Sequence, residues 1–135
     1  MDTIQADKIA NSAGVVGAIA VASTADVYTH SHSIKGASNI VLWYKATVSS
    51  GTPDVDIYLE QGPGLPTTEG SAGDATDAWI QVGSKIADVT DESWHYVVLS
   101  QASMPYLRFK LDGQGSNPAS CTMDLRLGQQ TALGV

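Results

Sequence analysis

Between residues 106 and 127, apolar side chains recur at every second position. Leu107, Phe109 and Leu111 alternate with Arg108, Lys110 and Asp112, and after a Gly/Ser/Asn/Pro stretch Cys121, Met123, Leu125 and Leu127 alternate with Thr122, Asp124 and Arg126. A strand sends successive side chains to opposite faces, so period two marks half-buried strands and excludes an amphipathic helix. The same signal repeats along most of the chain. "NIVLWYKATV" (39–48) has β-branched and aromatic residues on both faces and reads as a central strand. "DVDIYLEQ" (54–61) turns Val55, Ile57 and Leu59 one way and Asp54, Asp56, Tyr58 and Glu60 the other. "DVYTHSHSI" (26–34) reads as a polar strand, "WIQVGSKIADV" (79–89) as two short strands about Gly83, and "SWHYVVLS" (93–100) as another.

Short strands spaced by turn signals, with no convincing helical period after residue 26, predict an all-β fold. The expected form is an antiparallel two-sheet sandwich, jelly-roll-like, over residues 25–135. Leu42, Ile57, Val98, Phe109 and Leu125 are expected in one core. The turns "SSGTP" (49–53) and "DGQGSN" (112–117) read as hairpin connections, and the Pro/Gly-rich stretch 62–78 as irregular. A chain of 135 residues suits one domain with one core.

Residues 1–24 differ in being rich in Ala, Gly and Val without alternation, and read as an N-terminal arm. Ile4, Ile9, Val15, Val16, Ile19 and Val21 form an apolar set there with no assigned place in the sandwich. They are candidates for contact with a partner, either as an added strand or in a groove; the alternative is an ordinary first strand of the domain's own sheet. The run "GVVGAIAVASTA" (14–25) is too short to span a bilayer. The segment before it carries two Asp against one Lys, unlike the positive start of a signal peptide.

Charge narrows the partners. Seven Lys and Arg stand against fourteen Asp and Glu, a net charge of −7. Such a surface repels phosphate backbones and anionic membranes, so neither nucleic acid nor membrane is expected as a partner.

Catalytic and metal signatures are weak. His30 and His32 share one strand face with Asp26 but lack an identifiable third ligand; solvated histidines are the expectation. Asp54 and Asp56, with Glu60 beyond, could serve a glycosidase or a cation, yet an acidic row also keeps a strand soluble. "DGQGSN" lacks the alternating acids of a calcium loop. Cys121, the single cysteine, falls on an apolar face without a nearby base. No G-x-S-x-G, phosphate loop, dinucleotide fingerprint or C-x-x-C occurs. The expectation is no catalytic residue, no metal and no cofactor.

Aromatics offer surfaces instead. Trp43 shares a face with Val41 and Lys45, opposite Leu42 and Tyr44, so one ring of the pair points outward. Tyr58 and Tyr106 also fall on polar faces, and outward rings can anchor a protein interface or stack on sugars.

"DIYLEQGPGLP", followed by a W-x-x-V strand (79–82), a Y-V-x-L strand (96–99), the "YLRF" strand (106–109) and a last amphipathic strand, resembles the small β-sandwich proteins of tailed-phage virions. The likeness covers about residues 26–128 and is one of layout. It implies a non-enzymatic structural protein in the virion, such as a capsid decoration or cement protein. Its implied partner is a major capsid protein or another virion protein, and its implied state a homo-oligomer, most simply a homotrimer. No long shaft or repeat is present, unlike a receptor-binding fibre. The competing expectation is a carbohydrate-binding module with Trp43, Tyr58 or Trp79 as platform; a third is an enzyme using Asp54 and Asp56.

Overall fold

The structure is a computed structural model that describes residues 2–11, 15–33, 39–62, 79–99 and 106–132. Every regular element among them is a strand: β1 (Asp2–Lys8), β2 (Ile19–Ala20), β3 (Asp26–Tyr28), β4 (His32–Ser33), β5 (Asn39–Thr47), β6 (Val55–Gly62), β7 (Ile80–Gln81), β8 (Ala87–Val89), β9 (His95–Val98), β10 (Tyr106–Gly113) and β11 (Thr122–Ala132). The irregular stretch from residue 63 to 78 and the turn at 35–38 lie outside the described residues.

One sheet runs β1-β11-β5-β9, with β2 beside β11 on the same edge as β1. The other runs β3-β10-β6-β7, with β4 continuing the β3 edge and β8 the β7 edge. All pairings are antiparallel. If β1/β2, β3/β4 and β7/β8 are each taken as one broken ribbon, the orders become first-eighth-third-sixth and second-seventh-fourth-fifth. That is a jelly roll, the sandwich the alternation pattern predicts.

This topology corrects both expected hairpins. β5 and β6 lie in different sheets, as do β10 and β11, because β5 already has β11 and β9 on its two edges. The connections at 48–54 and 114–121 therefore cross from sheet to sheet. Buried Asn117 ties the second crossing in place: its Nδ2 donates to the Val21 carbonyl (2.8 Å), and its Oδ1 accepts from the Asp54 N–H (2.9 Å).

The alternating residues meet between the sheets. Leu42, Ile57, Leu59, Leu107, Phe109, Leu111, Met123, Leu125 and Leu127 are all buried in one core with Cys121. Burial pushes the Cys121 thiol above its ordinary range, as suits a small core residue rather than a nucleophile. Val98 does not join them. In "HYVVL" it is Val97 and Leu99 that turn inward, leaving Val98 55% exposed. Both alternating sets of this strand are apolar, so residue type alone does not choose between its faces.

Residues 2–11 and 15–21 build an edge of the sandwich. β1 pairs residue for residue with β11 from Asp2↔Ala132 to Lys8↔Arg126, and Ile9 N–H continues the ladder to the Leu125 carbonyl at 2.9 Å. The ladder resumes at Ile19↔Met123 and Ala20↔Thr122. Between these points the chain makes an excursion in which Ala10 bridges Val16 and Asn11 bridges Thr29, while His30 N–H donates to the Ala10 carbonyl. The excursion thus stitches the edge of one sheet to the edge of the other. Ile9, Ile19 and Val21 are core residues and not available to a partner. Burying each such side chain is worth about 1.5–3 kcal/mol, more than an arm in solvent could recover.

Candidate functional site

Since Leu42, Tyr44 and Ala46 of β5 point into the core, Val41, Trp43 and Lys45 face outward from the β1-β11-β5-β9 sheet. The register then assembles a single row across it: Lys8 faces Arg126, Arg126 faces Trp43, and Trp43 faces Tyr96. The rings of Trp43 and Tyr96 lie with centroids 5.0 Å apart at a tilt of 41°. Beside this row, Lys45 faces Asp124, and Trp94, just before β9, carries the Arg126 guanidinium 5.3 Å above its ring. On the other side Val41 faces Val98. Trp43, Trp94, Tyr96 and Val98 are all exposed. The sheet face therefore presents three aromatic rings, two valines and three cations on an open surface, well beyond scattered single apolar residues.

Of the residues singled out from sequence, Trp43 belongs to this face. Trp94, Tyr96, Lys8 and Arg126 were missed. The signal for Tyr96 was its alternation with Trp94 and Val98, masked by the equally apolar set Val97 and Leu99. Tyr58 and Tyr106 lie elsewhere, on the other sheet, and both are half-buried. Val15 and Val16 are exposed, Val16 where it bridges Ala10. Ile4 faces Gln130 in the β1–β11 ladder.

The outer face of the second sheet is built differently. Arg108 is buried, its Nε donating to Glu60 Oε1 at 2.7 Å, with its guanidinium carbon 4.3 Å from the Tyr28 ring centroid and 4.7 Å from that of Trp79. Trp79 in turn packs on Gly62, where a Cβ would come within 3.3 Å of the indole. Its ring is thus engaged within the fold, which removes it as a sugar platform. Lys110 sits 4.6 Å over the Tyr58 ring.

Across the same face the register lines up Asp26, Asp112, Asp56 and Asp88 on four adjacent ribbons. Lys85 lies 3.3 Å from Asp56 and 3.5 Å from Asp88. Burial pushes the Asp56 carboxyl above its ordinary range despite Lys85, and burial together with the facing Asp26 does the same for Asp112. Asp54, Asp56 and Asp88 offer oxygens within 4.8 Å of one another, so Asp88 is the third acid that sequence spacing could not place. Glu60 belongs instead to Arg108. Lys85 already neutralises part of the cluster. The His30 and His32 rings meet edge to face at 6.2 Å, outside that group. A cleft of about 180 Å³ lies between the open edges of the sandwich, lined by Leu59, Ser84, Lys85, Ile86 and residues 97–99.

No family model matches the chain, and no curated protein matches it. Among solved structures, the chain is similar to the carbohydrate-binding module CBM36 in complex with calcium and xylotriose, at 17% identity and a TM-score of 0.41, over 97% of this chain and 99% of that one.

Proposed function

We propose that this chain is a binding domain without catalytic activity and that its ligand is a carbohydrate held on the outer face of the β1-β11-β5-β9 sheet. The observation that carries this reading is the exposed pair Trp43 and Tyr96, joined by Trp94 on a surface open enough for an extended chain. The C–H faces of sugar rings pack against aromatic rings, while their hydroxyls reach flanking polar groups such as Lys45 and Asp124. Such anchors lose few degrees of freedom on binding, and hot-spot aromatics are worth about 2 kcal/mol or more each. Titration calorimetry against a panel of soluble oligosaccharides tests the reading. Saturable binding is expected, and Trp43→Ala or Tyr96→Ala should weaken it at least about tenfold without moving the melting temperature. Absence of binding to every glycan tried would defeat it.

A second reading is the virion structural protein that residues 26–128 resemble, bound to a capsid protein or another virion protein as a homotrimer. The exposed Val15 and Val16 favour it, as an apolar pair that a protein partner could cover. Sedimentation at high micromolar concentration tests the oligomer. A trimer that Val16→Asp dissolves supports this reading, and a clean monomer removes the trimer from it.

A further inference from the structure

Resting on the carbohydrate reading, we infer that the glycan held on this sheet face is anionic, carrying carboxylate, sulfate or phosphate groups. The argument is the distribution of six of the seven cationic side chains in a chain of net charge −7; the seventh, Lys35, lies outside the described residues. On the second sheet they are engaged: Arg108 with Glu60, Lys85 with Asp56 and Asp88, and Lys110 over Tyr58. Lys8, Lys45 and Arg126 gather instead around the aromatic rings, with Asp124 as the facing acid. Among the described residues Lys8 and Lys45 enter no ion pair, while Arg126 keeps a loose one with Asp124 (3.6 Å) and lies over the exposed Trp94 ring, so it stays at the surface beside the rings. On a molecule whose surface is otherwise acidic, this is where an anion meets attraction.

The row has the right order for one chain-like ligand. From Tyr96 through Trp43 and Arg126 to Lys8 it crosses three inter-strand gaps, about 14 Å in all. A sugar stacked on Trp43 and Tyr96 places a neighbouring unit one gap away, over Arg126, whose planar fork can donate two parallel hydrogen bonds to a carboxylate or sulfate. Lys8 follows as a point charge. A single-stranded nucleic acid could also combine stacking with phosphate contacts. Three cations against a net charge of −7 are poor support for a phosphate backbone, which draws much of its affinity from neutralised phosphates.

Matched polymers separate the outcomes. The intact chain is titrated with polygalacturonate, with its fully methyl-esterified neutral form, with a sulfated glycan and its desulfated form, and with oligo-dT. At about 50 mM salt the acidic forms should bind at least about tenfold tighter than their neutral counterparts, with the gap shrinking as salt rises. Lys8→Gln with Arg126→Gln should abolish that preference, bringing charged and neutral forms to the same affinity; Trp43→Ala should weaken both forms. Equal affinity for charged and neutral forms overturns the inference and leaves the carbohydrate reading standing. No glycan binding at all overturns both, and tighter binding of oligo-dT than of any glycan overturns both in favour of nucleic acid.

Discussion

Arg108 on β10 and Glu60 on β6 stand directly opposite one another and share a 2.7 Å hydrogen bond on the outer face of their sheet, yet both are buried. Tyr28 and Trp79 close over the guanidinium, giving this nominally solvent-facing side a small packed layer of its own. A position on the polar side of an alternating strand is therefore no guarantee of exposure.

Removing one partner of this pair strands the other charge without water. Glu60→Ala should cost about 3–5 kcal/mol, read from urea unfolding. Replacing both, as Glu60→Gln with Arg108→Met, should cost clearly less than the single change. If Glu60→Ala unfolds at the parent's midpoint, the pair is solvated and its burial is wrong.

The edge strand should be indispensable. Because β1 fills one side of β11 and Ile9 lies in the core, a chain lacking residues 2–9 should lose cooperative unfolding. The milder Ile9→Ala should cost about 2–5 kcal/mol. Val15→Ala, at an exposed site, should change stability by no more than about 0.5 kcal/mol. Comparable melting temperatures for Ile9→Ala and the parent would show that this stretch is an arm after all.

Asp112 should make the protein more stable in mild acid than it would otherwise be. Burial and the facing Asp26 raise its carboxyl above the unfolded value of about 3.9. A raised acid binds its proton more readily in the folded state, so its contribution is fully present below the unfolded pKa. That contribution is lost as pH rises through the folded one. At neutral pH, then, Asp112→Asn should melt higher than the parent, with the difference fading as pH falls toward about 3.9. Melting curves across that range check the sign; a variant less stable at neutral pH would reverse it.

Gly113 should not tolerate a side chain. A Cβ there would collide with the backbone carbonyl oxygen of Ala22, which cannot rotate away like a flexible side chain. Gly113→Ala should cost about 1–3 kcal/mol, the usual price of overpacking. Gly115→Ala, two residues on and with open space around it, serves as the control.

The strand positions from β3 onward, the inward faces of β5, β6, β10 and β11, and the all-β class were legible in the sequence, because period-two alternation is a property of each strand by itself; β1, which lacks it, read as an arm. Phe109 is apolar between two polar neighbours and has only one face to choose. Val97 and Val98 are chemically alike, so nothing local decides which is buried; the register of β9 against β5 does. The same holds for partnership between strands. "SSGTP" and "DGQGSN" look like hairpin turns because the sequence describes a bend and not what lies beside each strand after it. Only packing of all the ribbons sends these bends across the sandwich. Trp43 could be seen as an outward ring, whereas Lys8, Arg126 and Tyr96, separated from it by 35, 83 and 53 residues along the chain, became its neighbours only through β1-β11-β5-β9 pairing. A strand's own residues determine its two faces; which faces adjoin is a long-range property, decided by the hydrogen-bond ladders of the folded sheet.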